Sequence, residues 1–104
     1  MTRVVVVDEA EQQLRAIDEW WVANRELTPD LVAQEFARCV LLLENTPDVG
    51  SRFLRTSIPG VRRVFTKKTR HALYYIHDDI NDVVYIIAIW GSPKGIDPML
   101  RDPR

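Results

Sequence analysis

The sequence predicts an α+β domain: a helical hairpin packed on a small, mostly antiparallel sheet, in the order β-α-α-β-β-β. Three observations carry that prediction. Two apolar stripes at helical spacing follow one another between Ala10 and Leu43. Three strand-like runs, separated by short polar turns, follow between Val61 and Trp90. A run of valines, Val4–Val7, precedes the helices and supplies a first strand.

The first strand is expected over Arg3–Val7, buried on both faces because no polar residue interrupts the valines. Asp8 is expected to cap the first helix, with Glu11 completing a capping-box-like pair. Ala10, Leu14, Ile17 and Trp21 form one apolar stripe of a helix from about Glu9 to Glu26. Trp20 and Trp21 are adjacent and cannot both point inward, so one of them should be half exposed. Thr28-Pro29-Asp30 opens the second helix: a capping hydroxyl, a proline suited to the first turn, and an acid at the positive end of the helix dipole. Val32, Phe36, Cys39, Val40 and Leu43 form its stripe, and Pro47 and Gly50 stop it after Glu44 or Asn45. The short connection predicts an antiparallel hairpin.

Asp48–Gly60 reads as a loop. Val61–Thr66 and Arg70–His77 read as strands around a turn at Lys67–Thr69. After a polar turn at Asp78–Asp82, Val83–Trp90 is almost wholly apolar and belongs in the interior of the sheet. Pro93, Pro98 and Pro103 predict an irregular tail over residues 91–104, with Trp90 as its anchor, so residues 1–104 form one domain.

A hydrophobic content of 46% with 28% charged residues is that of a globular chain, and 104 residues suit one domain. The single cysteine, Cys39, cannot form an internal disulfide, and nothing calls for an oxidising compartment. The longest apolar run is too short to span a membrane, and Val4–Val7 is stopped by Asp8 too soon for a signal sequence. A cytoplasmic protein without membrane contact is expected.

The net charge of −1 conceals a polarised chain. Residues 8–48 hold ten acids and three bases. Residues 49–77 hold seven bases and no acid: Arg52, Arg55, Arg62, Arg63, Lys67, Lys68 and Arg70. A basic strand pair can be a solvated sheet face or a surface that meets phosphates, bases or an acidic protein segment. Alternation places Arg63 and Phe65 on one side of their strand and Arg62, Val64 and Thr66 on the other. On the next strand His71, Leu73, Tyr75 and His77 share a side, opposite Arg70, Ala72, Tyr74 and Ile76.

Motifs for other chemistry are missing. The sequence has no glycine-rich phosphate loop and no Cys/His metal cluster. His71 and His77 share a strand side but lie roughly 20 Å apart, too far to share one ion. Ser51, Ser57 and Ser92 lie in loops with no base placed beside them. Cys39, on an apolar stripe, reads as a buried small hydrophobe rather than a nucleophile. Tyr74, Tyr75 and Tyr85 read first as strand packing residues.

The element order, the TPDVG after the hairpin, the stretch PGVRRVFTKKTRHALYYIHDD and the apolar last strand DVVYIIAIW resemble the RelE/ParE family of bacterial type II toxin–antitoxin toxins. The resemblance covers Val4 to Trp90 and rests on the succession of features, with the Pro-Gly-x-Arg opening and the late strand Tyr as its best parts. It implies a small toxin silenced by a cognate antitoxin that wraps it with an extended, partly acidic segment. It implies no metal and no cofactor.

RelE-like members cleave mRNA in the ribosome, and on that reading Arg62, Arg63 and Arg70 would stabilise transition-state charge. RelE-like members carry an Arg in the last strand and a Tyr or similar group near the C-terminus; here Val83–Trp90 has no Arg, and the tail has no Tyr or His. The resemblance therefore favours the ParE-like branch, whose members bind DNA gyrase. The alternatives are the ribosome-dependent endoribonuclease and a non-toxic interaction module of the same fold. Arg62, Arg63, Lys67, Lys68, Arg70, Tyr75 and Lys94 are the residues expected to contact target or antitoxin. The implied partners are the antitoxin and either gyrase or the ribosome with its mRNA, with assembly as a homo-oligomer or a toxin–antitoxin hetero-oligomer left open.

Overall fold

A computed structural model of the chain describes residues 1–91 and 96–104. Its elements are β1 (Arg3–Val6), α1 (Asp8–Asn24), α2 (Leu31–Asn45), β2 (Ser51–Arg52), β3 (Val61–Phe65), β4 (His71–Asp78) and β5 (Val83–Gly91). The sheet order is β1-β5-β4-β3-β2; β1 runs parallel to β5 and the other neighbours are antiparallel. This is the expected α+β arrangement, with one addition. The segment expected to be a loop contains β2, a two-residue edge strand pairing Ser51 with Arg63 and Arg52 with Arg62.

Three further expectations are corrected. α2 begins at Leu31 with Asp30 at its cap position, so Thr28 and Pro29 precede the helix rather than open it. β1 is an edge strand, and its valines are half-buried rather than buried on both faces. The cap of α1 is Val7, not Asp8: the Glu11 amide donates to the Val7 carbonyl at 2.9 Å, so Asp8 is already inside the first turn. Asp8, Glu9 and Glu11 still face the positive end of the helix dipole. α1 and α2 both end on asparagine. The Asn24 and Asn45 side-chain amides fold back on their helices and donate to the Trp20 and Leu41 carbonyls at 2.8 Å.

The helices run antiparallel over one side of the sheet. α1 starts at the end of β1. α2 returns toward its beginning, where the Thr2 amide donates to the Glu44 carbonyl at 3.0 Å. Between helices and sheet lies one core, built on Ala10, Cys39, Leu43, Leu73, Tyr75, Val84 and Ile86. A second core lies on the opposite side of the sheet, built on Phe53, Val61, Ala72, Tyr74, Ile76, Ile87 and Ala88 and covered by Ile58, Trp90 and Leu100. The middle strands are therefore buried on both faces, which is why β5 reads as a continuous apolar run. A β-bulge adapts β5 to this: Tyr74 pairs with Ala88 but Tyr75 pairs with Ile86. Ile87 is the extra residue, and it joins Ala88 on the second core instead of alternating.

Candidate functional site

Pleating of β3 and β4 divides the basic segment between the two sides of the sheet. Arg62 pairs with Tyr75 and Arg63 with Tyr74. Arg62 is on the helix side, where its guanidinium donates to the Gly50 carbonyl at 2.8 Å. Tyr75, expected to contact a partner, is fully buried beside it; its phenol oxygen accepts the Gly50 amide at 2.9 Å. Burial pushes that phenol above its ordinary pKa. These two side chains hold the α2–β2 connection onto the sheet.

Arg63 projects to the opposite side. Its guanidinium carbon lies 5.2 Å from the Phe53 ring centre and 5.0 Å from that of Phe65, so the cation sits against two aromatic rings. Its Nε is buried and has no hydrogen-bond partner. Arg55 also sits over Phe53, at 5.3 Å. It forms a two-pronged bridge to Asp97 of the tail, at 2.8 and 3.1 Å. The hydrogen bond from Arg55 holds the Asp97 carboxyl below its ordinary pKa, and Arg63 adds to the effect. Arg55, Arg63, Phe65, Tyr74, Trp90 and Asp97 line a cavity of about 290 Å³. Two cations against one carboxylate, walled by aromatic rings, are a chemistry suited to an anionic or planar group. Trp90 ties the tail to this place, its indole donating to the Ile96 carbonyl at 2.9 Å.

The remaining basic residues collect at the β3–β4 turn. Lys67 and Lys68 are exposed. The Lys68 and Thr69 amides donate to the Glu35 carboxylate at 3.1 and 2.8 Å. Glu35 is only 6% exposed on α2. Its burial alone would raise the carboxyl pKa, but the hydrogen bonds from the turn outweigh it and the pKa is lowered. Arg70 leaves the turn with φ 61, the left-handed region, and faces the end of α1. Lys94 lies outside the described residues.

Both histidines are held in place. His77 sits between Asp48 at 3.3 Å and Asp82 at 3.1 Å, and Asp82 also accepts the Thr2 hydroxyl at 2.7 Å. His71 is half-buried and hydrogen-bonds with the Thr69 hydroxyl at 3.1 Å. Cys39 is buried, and its thiol pKa is raised by burial and by Glu35, as suits a core residue. Among the described residues no three His, Cys, Asp or Glu side chains gather as a metal set, and no helix is long and apolar enough to cross a membrane.

Sequence reasoning placed Arg63 beside Phe65 on one side of its strand but missed Arg55 and Asp97, which complete the cavity, and Phe53, on which both arginines pack. Arg55 and Asp97 lie 42 positions apart and outside any periodic element, so spacing carried no signal of their contact. Glu35 did leave a signal: it is a lone acid three residues after Val32 and four before Cys39, on the apolar stripe itself.

The chain matches the profile of the ParE toxin of the type II toxin–antitoxin system, parDE, across residues 4–92. It belongs to the ParE toxin family. The chain is thus the toxin component of a type II toxin–antitoxin system of the ParE/RelE class. Among solved structures it is similar to a chain of the chromosomal ParDE system from P. aeruginosa, at 19% identity and a TM-score of 0.68, over 88% of this chain and 96% of that one. It is also similar to a chain of the RelBE2 toxin–antitoxin complex from Mycobacterium tuberculosis, at 19% identity, a TM-score of 0.60, and 86% and 96% coverage. A chain of the intact E. coli RelBE complex matches at 16% identity, a TM-score of 0.61, and 88% and 98% coverage. At these identities the structures establish the shared fold. No curated protein matches by sequence at a significant level.

Proposed function

We propose that this ParE-family toxin inhibits growth in the bacterial cytoplasm by binding DNA gyrase, and that a cognate antitoxin neutralises it. The family match across residues 4–92 supports the branch. The Arg63 cavity carries the reading: a guanidinium packed on Phe53 and Phe65, beside a guanidinium–carboxylate pair, recognises a partner but does not move protons. The two histidines, the groups suited to proton transfer at neutral pH, are engaged with Asp48 and Asp82 and with Thr69. Antitoxin binding is supported by the structural neighbours, three of which belong to toxin–antitoxin systems.

The test is supercoiling by purified gyrase in the presence of the purified chain. Inhibition is expected, and Arg63→Ala should weaken it at least about tenfold, the scale of a buried arginine contact. Undiminished supercoiling at saturating toxin would refute the target. The endoribonuclease reading keeps one observation in its favour: the Arg55 and Arg63 side chains line one cavity, and two such cations together can hold a phosphodiester. Cleavage of mRNA on translating ribosomes, lost in Arg63→Ala, would establish it instead.

A further inference from the structure

The cations of the Arg63 cavity come from β3 and from the loop after β2, but its acid comes from the tail. Among the described residues, Asp97 is the only carboxylate in the lining. It sits on Arg55 through two hydrogen bonds, at 2.8 and 3.1 Å, and Arg63 acts on it electrostatically. The preceding Ile96 carbonyl accepts the Trp90 indole at 2.9 Å. Beyond Asp97 the tail is fastened by other means. Pro98 is buried, Leu100 packs on the second core, and Arg104 donates to the Pro59 carbonyl at 3.0 Å.

The bridge does little for the fold. Its Arg55 side chain is 67% exposed and that of Asp97 34%, and ion pairs in water contribute little stability. Its consequence lies in the cavity, whose cations it partly neutralises. Asp97 presents a planar carboxylate to a guanidinium fork, the geometry in which arginine takes carboxylates and phosphates from outside. We propose that Asp97 is an internal placeholder: the tail lays its carboxylate on an anion site formed by Arg55 and Arg63, and an external carboxylate or phosphate attached to a planar group binds there by displacing it. The tail thereby restrains the chain's own recognition site.

Displacement follows from how the tail is held. A tethered carboxylate is present at an effective concentration in the millimolar range, so a weak external anion is excluded and a strong one is admitted. Because the pair is exposed, the restraint is small, about three- to fivefold. Only Ile96 and Asp97, both exposed, need to move; Pro98 and Leu100 keep the remainder in place. Phe65, Tyr74 and Trp90 then flank the vacated position with rings. The inference rests on the reading of this cavity as the recognition site, and not on gyrase as what is recognised.

The experiment follows the tryptophan indole N–H signals of the ¹⁵N-labelled full chain by NMR. The probes are phenyl phosphate, benzoate and benzylammonium. Both anions are expected to shift Trp90 but not Trp20 or Trp21. They should also speed exchange of the Trp90 indole proton with water as the Ile96 carbonyl withdraws; benzylammonium should do neither. Asp97→Asn should bind the anions about three- to fivefold more tightly, and Arg63→Ala at least about tenfold more weakly. Whichever anion binds more tightly names the source, carboxylate or phosphate. The proposal is overturned if neither anion moves Trp90 at concentrations well above that of the tethered carboxylate, or if Asp97→Asn binds no better. It is equally overturned if indole exchange stays constant, which would leave Asp97 a repelling charge and no more. In the supercoiling assay, Asp97→Asn should inhibit at a correspondingly lower concentration than the native chain. Inhibition with no such gain overturns the inference and spares the gyrase reading. Tighter probe binding without inhibition by either chain does the reverse.

Discussion

Gly50 stands where the α2–β2 connection meets the sheet. Its amide donates to Tyr75 and its carbonyl accepts from Arg62. A Cβ there would lie 2.8 Å from both the Arg63 carbonyl and the Tyr75 hydroxyl, and one of those is backbone that cannot swing away. Gly50→Ala is therefore expected to destabilise the fold by about 2 to 3 kcal/mol, as overpacking and a lost buried hydrogen bond together do, and to lower Tm by roughly 10 °C. Calorimetry of the purified variant checks this. The two histidines act with opposite signs. Burial alone would lower the His77 pKa, but the hydrogen bonds to Asp82 and Asp48 outweigh it and the pKa is raised above 6.5. His77 thus stabilises fully below about pH 6.5, and its contribution fades as pH rises through the raised value. Burial lowers the His71 pKa, so stability is lost as pH falls below 6.5. In His77→Gln, Tm should rise with pH through this window; in His71→Gln it should fall. Parallel Tm profiles for the two variants would contradict the assignment.

At the scale of elements, α2 serves both as a core helix and as the acceptor for the β3–β4 turn. Glu35→Ala strands the Lys68 and Thr69 amides and is expected to cost about 2 to 4 kcal/mol, measured by urea titration at neutral pH. Because its folded pKa is lowered from 4.5, the stability Glu35 supplies at neutral pH should fade as pH falls below 4.5. The Ala variant should lack that part of the acid dependence. What was legible in the sequence follows the same physics. The stripe Ala10, Leu14, Ile17 and the run Val83–Trp90 are repeated patterns that report burial directly, and both became the elements they suggested. The strand pair β3–β4 was readable from its turn at Lys67–Thr69. β2 was not readable, because two edge residues have no period. The cap of α1 was misread because Asp8 fits the chemistry of a cap, whereas the chain makes the first turn one residue earlier, through the Val7 carbonyl. The Arg55–Asp97 bridge joins a loop to a tail, a contact that only tertiary structure brings about.

At the scale of the whole molecule, the basic segment does not make one positive face. Arg62 holds the chain to itself, Arg63 and Arg55 line a cavity on one side, and Arg70 joins Arg25 beside the tryptophans on the other. Ten of the fifteen acids lie in residues 8–48, while the cations of the basic segment divide between the two sides of the sheet. The central claim, a toxin that stops growth at gyrase through the Arg63 side, is tested most directly in cells. The chain is induced alone in bacteria, and pulse incorporation of labelled thymidine and methionine is followed for the native sequence and for Arg63→Ala. The expected result is early loss of thymidine incorporation, with filamentous cells, abolished by Arg63→Ala. Early loss of methionine incorporation instead, or undisturbed growth from the folded native chain, would contradict the account.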